Sequence, residues 1–369
     1  MKHILTIIGT CIILFSCTKQ IQVPTGGENR IVYAEGFELK DYEDYKHVII
    51  YKPFSKEIQT QYYLVGSAET ETPTDGVKIV VPLSHIGVAS NTHIGFLEAL
   101  GLLEHVSGLC LPNSVYSPTM LRLYHDGKAI DMGDAMKIEP ERAILANADA
   151  IMISGYGQGD VNPERLNQVG IKFIYNNEWT ETTALGRAEW IKLVGALFCK
   201  DSLADSIFKR VDSAYNANKH IVENIENKPS IMTGNNFRGT WYMSSGNSYM
   251  ASLFADAGAD YYYQNDTTKG SIPLSIEQVI NQFAGADVWV GSNGHSLDEL
   301  AQMDEKHTWF KAFKDHKVFN FYRRTNAQNA NDYWERGVIH PEELLSDLIW
   351  ALYPELMTDY QPVYINQLQ

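Results

Sequence analysis

The sequence predicts an α/β protein built as two open parallel-sheet, Rossmann-like lobes joined by one long α-helix. Three observations predict it. Short apolar runs alternate with helical periods along most of the chain, the pattern of parallel strands with crossover helices. The order of units after residue 229 repeats the order before residue 183, as in two related lobes. Between the two, Leu203, Ala204, Ile207, Phe208, Val211 and Tyr215 recur at helical spacing, with charged residues filling the opposite face. The chain therefore divides into a leader (1–17), a tether with a β extension (18–76), an N-terminal lobe (77–182), a linking helical segment (183–228) and a C-terminal lobe (229–369).

The leader has a charged start at Lys2, an apolar run from Ile4 to Phe15, and Ser16-Cys17. The apolar run is too short to span a bilayer as a helix, and it has the form of a secretory signal. Leu14-Phe15-Ser16-Cys17 resembles a bacterial lipoprotein signal, which implies lipidation of Cys17 and a membrane-anchored body in the periplasm. Thr18 to Glu28, with Pro24 and Gly26-Gly27, reads as a flexible tether. Only Cys110 and Cys199 follow the leader, both expected to be buried thiols, with their pairing left open.

After the tether, β-rich runs at Arg30–Phe37, His47–Pro53 and Gln59–Val65 predict a small antiparallel layer. Val77–Leu83 is expected as the first strand of the N-terminal lobe. A helix over Asn91–Leu100 ending at Gly101, a strand over Val106–Leu111 and a loop carrying Tyr116 follow. Next come a helix over Ile138–Asn147, a strand over Ala150–Ser154 opening into Gly155-Tyr156-Gly157-Gln158-Gly159, a helix over Pro163–Val169 and a strand over Ile171–Tyr175, with Trp179 closing the lobe. A break at Cys199-Lys200-Asp201 leaves a rod from Asp201 to Asn227, stopped by Pro229. The second lobe has strands at Ser230–Thr233, Asp260–Tyr263, Val288–Gly291 and Val318–Tyr322. Its helices are Ser248–Ala257, Ile276–Phe283 and the tail Pro341–Tyr353. Ala148-Asp149-Ala150-Ile151 and Ala286-Asp287-Val288-Trp289 are matching helix-to-strand joints.

A formal net charge of -15 and the absence of any Lys/Arg run exclude a nucleic-acid partner. The glycine-rich loop after Ser154 fits no phosphate-binding pattern. The histidines lack metal-ligand spacing, although His93 and His295 stand at strand ends where a ligand could sit. Aromatic and arginine residues in loops beyond the strands carry more weight, because ligands of open α/β sheets collect at the carboxyl ends of the strands. These are Tyr116, Tyr156, Trp179, Arg238, Trp241, Tyr242, Tyr333, Trp334 and Arg336, offering flat faces and forked donors.

Two α/β lobes, one linking helix and a lipoprotein signal together resemble the helical-backbone class of substrate-binding proteins of ABC importers. The ordered features are Leu100-Gly101-Leu102, Glu141 with Ala148-Asp149, Gly246-Asn247-Ser248, Leu274-Ser275-Ile276-Glu277, and Asn331-Asp332-Tyr333-Trp334 leading to His340-Pro341. The resemblance implies binding without catalysis, of a ferric siderophore first and haem or cobalamin next. It implies a permease dimer as partner, with Glu141 and Glu277 as docking carboxylates and Glu139 as the rival of Glu141. It implies a monomer with no resident cofactor, its iron or cobalt complex being cargo. A single rigid helix between lobes predicts a largely preformed cleft. Competing readings are an extracytoplasmic chelatase or hydrolase on the same frame and a receptor for a bare metal ion held by His and carboxylate ligands.

Overall fold

The computed structural model describes residues 27–156, 166 and 170–369. Cys17 with its leader, Gly157-Gln158-Gly159, and the helix expected over Pro163–Val169 apart from Leu166 lie outside the described residues. No helix among the described residues is long and apolar enough to cross a membrane.

Each lobe is organised on a five-stranded sheet. In the first, the order is Phe173–Tyr175, Ala150–Ile153, Ile86–Val88, Val106–Leu109 and Ile130–Asp131, parallel throughout. In the second, the order is Asp260–Tyr261, Ser230–Thr233, Val288–Val290, Val318–Asn320 and Asn366–Gln367, with only the last strand antiparallel. Four strands correspond between the lobes, and each lobe adds its fifth at the opposite edge. The two Ala-Asp joints do the same work in both. Asp149 accepts the backbone N–H groups of Ser84 (2.6 Å) and His85 (2.9 Å). Asp287 accepts the N–H and hydroxyl of Ser230, both at 2.8 Å. Either carboxylate thus ties the start of its lobe's first strand to the strand beside it.

The run Val77–Leu83 does not open the lobe sheet. Val77–Val80 pairs in parallel with Ile58–Val65, as the fourth strand of a sheet whose other strands are Phe37–Asp41 and Tyr45–Tyr51. Only Ile79 of its four residues is buried, and Val77 and Val80 are exposed, unlike the fully buried strands Ile86–Val88 and Ala150–Ile153 of the lobe sheet. The actual first strand, Ile86–Val88, carries little apolar bulk because Gly87 must admit its neighbours: a Cβ there would lie 2.9 Å from Ile151 Cγ1. Its sequence signal is correspondingly weak.

This N-terminal sheet is docked by two buried carboxylates. Glu189 accepts the N–H groups of Val32, Tyr33 and Ala34, at 2.7 Å for Tyr33, with Lys192 Nζ at 2.7 Å balancing its charge. Glu181 accepts those of Glu35 (2.9 Å) and Gly36 (2.8 Å) and the indole N–H of Trp190 (2.9 Å). Arg30 adds ion pairs to Asp201 (2.8 Å) and Asp205 (2.7 Å) on the linking helix.

The linking helix spans Asp201–Val222, about 33 Å at 1.5 Å per residue, and ends five residues short of the expected Asn227. Ala204, Ile207, Phe208 and Val211 are buried toward its start, where it packs on helix Ile191–Leu197. Tyr215 and Val222 are buried further along, where it packs on helix Pro341–Leu352. One rod is therefore apolar on one face throughout and serves both lobes. Cys199 stands at the break before it with φ 53° and is exposed, while Cys110 is buried; both are free thiols.

Candidate ligand cleft between the lobes

The lobes meet along residues 332–338. Helix Asn91–Ala99 packs directly on Arg336–Val338, so closely that a Cβ on Gly95 would lie 2.1 Å from the Glu335 carbonyl oxygen. Glu335 is wholly buried, and its two carboxylate oxygens accept the N–H groups of Tyr116 and Ser117 of the other lobe, each at 2.8 Å. Asn326 Nδ2 adds a bond to the Val115 carbonyl at 2.9 Å. Burial pushes the Glu335 carboxyl up to about 7, against the pull of its two N–H donors, and nearby Glu98 and Asp332 push the same way. A raised carboxyl contributes stability that is complete below the ordinary glutamate value of 4.5 and is lost as pH rises through about 7. Wild type should therefore be more stable relative to Glu335→Gln at pH 5 than at pH 8 by calorimetry. The pairwise difference is the proper readout, because buried His93, depressed to about 3 by its loss of solvent, acts in the opposite direction over that range.

To one side of this junction lies a cavity of about 260 Å³. Its first-lobe wall is Trp179, in the turn after strand Phe173–Tyr175, with its indole N–H bonded to the Gly155 carbonyl at 3.2 Å. Tyr156 lies against Trp179 with ring centroids 5.6 Å apart, and Phe54 of the N-terminal sheet meets it edge-on at 5.3 Å. The second-lobe wall is Ser248, Tyr249, Met250, Tyr333 and Trp334. Tyr333 stacks on Phe321 at 4.4 Å, and Trp334 stands across it at 4.6 Å with 58% of its surface exposed.

Arg187 spans the two walls. It extends from helix Ala184–Glu189, donates Nη2 to the Trp179 carbonyl at 3.0 Å, and lies 3.8 Å over the Tyr249 ring. Its buried Nε has no hydrogen-bond partner among the described residues. An arginine held flat on an aromatic face can still donate to an anionic oxygen through the remaining N–H groups of its guanidinium, and the buried Glu178 carboxyl feels its charge.

The nine aromatic and arginine candidates separate accordingly. Trp179, Tyr333 and Trp334 line this cavity, and Tyr156 touches Trp179. Tyr116 and Arg336 line a second interlobe cavity of about 320 Å³. Charge there is matched internally: Arg336 pairs with Glu343 at 2.9 Å and Arg324 with Asp332 at 2.6 Å. Arg238 sits at a hairpin turn with φ 53°, its guanidinium over Phe237 at 5.1 Å, and Tyr242 is exposed on the adjoining strand. Trp241 belongs to the core. It is fully buried, bonds the Thr233 carbonyl at 2.9 Å and packs on Trp289 and Phe310. The reason is that residues 240–244 form a strand rather than a loop, so Trp241 and Tyr242 face opposite sides.

Arg187, Tyr249 and Phe54 escaped the sequence reading. A charged residue within the buried run Ala184–Leu197 was a usable signal for Arg187; nothing comparable marked Phe54. His93 is fully buried with Glu178 Oε2 at 4.0 Å, and His295 stacks on Tyr322 at 5.1 Å. Three metal-competent donors converge, among the described residues, at His340, Glu342 and Glu343, where Glu343 is already engaged by Arg336 and Tyr364.

A two-lobed α/β frame with one helical bridge and an aromatic cleft at the carboxyl ends of both sheets has the architecture of a solute receptor. The chain belongs to the periplasmic binding protein family, whose model matches residues 88–323. It is similar to an uncharacterised lipoprotein of Methanocaldococcus jannaschii, at 24% identity over 400 residues covering 96% of this chain and 94% of that one. In fold it is similar to a possible iron-binding periplasmic solute-binding protein of Staphylococcus epidermidis, with TM-score 0.58 and 17% identity over 74% of this chain and all of that one. It is likewise similar to a periplasmic haem-binding protein of Pseudomonas aeruginosa, with TM-score 0.56 and 13% identity over 78% of this chain and 98% of that one.

Proposed function

We propose that this protein is the substrate-binding component of an ABC importer. In this reading it is lipid-anchored through Cys17 on the outer side of the membrane, and it carries a metal chelate in the cleft between its lobes. A ferric siderophore is the first candidate, and haem or cobalamin the next. The observation that carries the reading is the cleft itself: Trp179, Tyr249, Tyr333 and Trp334 supply aromatic faces from both lobes, and Arg187 supplies a cation between them. Such a lining suits a large, partly flat ligand with anionic oxygens. Glu141 and Glu277 suit permease docking, since they are exposed and each occupies the second position of a corresponding helix, Pro140–Leu145 and Ile276–Phe283.

Titrating the soluble form with a ferric tris-catecholate, a ferric trihydroxamate, haemin and cyanocobalamin should quench tryptophan fluorescence with at least one of them, because Trp179 and Trp334 are on the walls. Silence toward all four sinks the reading. Arg187→Ala should weaken the ligand that binds by about thirtyfold, the worth of a charge-assisted contact of roughly 2 kcal/mol, and Arg187→Lys should restore only part of it.

A further inference from the structure

The family model begins at residue 88, so the four-stranded sheet of residues 37–80 lies wholly before the matched region. Its placement is nonetheless specific to the cleft. The turn after strand Tyr45–Tyr51 puts Phe54, at φ 56°, on the cavity lined by Trp179, Arg187 and Tyr249. A phenylalanine in the left-handed region is an unfavourable backbone choice, and here its ring is 47% exposed rather than used to fill a core. Across the cleft mouth, Lys269 of the second lobe stands 5.8 Å from the Phe54 ring centroid. Lys52 and Lys56 of the same turn join Phe54 and Lys269 around a smaller recess of about 100 Å³ that shares Thr180, Glu181 and Thr182 with the main cavity.

The charges around this mouth are unequal in availability. Glu181 is committed to the N–H groups of Glu35 and Gly36 and the indole of Trp190. Lys52 pairs with Glu57 at 2.7 Å, and Lys56 lies 3.7 Å from Glu35. Lys269 instead stands 5.8 Å from the Phe54 ring, and Arg187 lies 3.8 Å over Tyr249, with the buried Glu178 carboxyl feeling its charge. The mouth thus mixes both signs of charge, and Lys269 is the cation that faces an aromatic ring rather than a carboxylate there. The wall that carries Phe54 is held in place, because Glu181 and Glu189 fasten residues 32–36 and Asn177 Nδ2 bonds the Tyr51 carbonyl at 3.1 Å.

We propose that the N-terminal sheet is a wall of the ligand cleft, and that Phe54 and Lys269 form a subsite selecting an aryl ring that bears anionic oxygen, such as a catecholate. The inference rests on the cleft being a metal-chelate site and adds the chemical class of its ligand. Phe54 meets the face or edge of the aryl ring, while Lys269 and Arg187 receive its oxygens from opposite sides. A neutral or cationic chelate gains nothing from the two cations and loses their hydration.

The test uses the soluble full-length body, Phe54→Ala, Lys269→Glu and the double variant. Each is titrated by tryptophan quenching with a ferric tris-catecholate, a ferric trihydroxamate, haemin and cyanocobalamin, at low and high salt. Wild type should prefer the tris-catecholate. Phe54→Ala should weaken it about tenfold, the worth of one aromatic contact. Lys269→Glu should weaken it about fivefold at low salt and less at high salt. Melting temperatures should be unchanged, since both side chains are at the surface of the cleft. Wild type binding the trihydroxamate, haemin or cyanocobalamin in preference to the tris-catecholate overturns the aryl-anion assignment. Tris-catecholate affinities within about twofold of wild type in both single variants overturn the subsite. No binding of any probe by wild type overturns the chelate reading, and this inference with it.

Discussion

Glu335→Ala is expected to lower stability by about 3 kcal/mol, because it strands two buried N–H groups that the carboxylate now accepts. The two donors, Tyr116 and Ser117, are 219 and 218 residues away in sequence and belong to the opposite lobe. The lesion therefore falls on the lobe junction and not on either sheet. Amide exchange should accelerate most at Tyr116 and Ser117, and X-ray scattering should report a broader distribution of lobe separations. Around the junction the linking helix remains, packed at its two halves on Ile191–Leu197 and Pro341–Leu352, so the lobes loosen without parting. Unchanged exchange at those two amides, together with an unchanged melting temperature, would show that Glu335 is not what holds the lobes together.

The second large effect concerns delivery. Glu141→Lys combined with Glu277→Lys is expected to reduce uptake in cells by about a hundredfold or more, since like charges would then face the arginines expected on a permease. Affinity for the ligand in solution should stay within about twofold, because neither carboxylate lines the cavity. Glu277 makes one exposed ion pair, to Lys306 at 3.2 Å, and its loss should cost little stability. Glu139, which precedes the first of these helices, is held by Arg142 at 2.8 Å and is the less available carboxylate on that side. Normal uptake by the double variant would remove both residues from the docking surface, and lost affinity would place them in the cleft.

Much of the fold was legible because it is local. The 3.6-residue period of the linking helix, the break at Cys199 and the helix Ile276–Phe283 are written in consecutive side chains. The matching Ala-Asp joints exposed the internal repeat, and the structure supplies their reason: Asp149 and Asp287 each tie down the first strand of a lobe. Trp179, Tyr333 and Trp334 were legible as candidates by a simple rule, that ligands of open α/β sheets collect in loops beyond the strands, and the structure sets all three on one cavity.

What the sequence by itself determined is the two-lobed α/β class, the linking helix and the duplicated order of units. Tertiary structure decided which side each residue serves. Val77–Val80 joined the N-terminal sheet because register and pairing partner are settled by packing and not by composition. Trp241 went to the core because a strand alternates its faces, and that strand exists through pairing with Asn236–Phe237 and Ser271–Leu274. Arg187 and Phe54 reached one cavity because a helix and a separate sheet are docked there by buried carboxylates, which charge and spacing along the chain do not encode. A binding cleft between lobes is made of residues far apart in sequence, and only the packing of its walls brings them together.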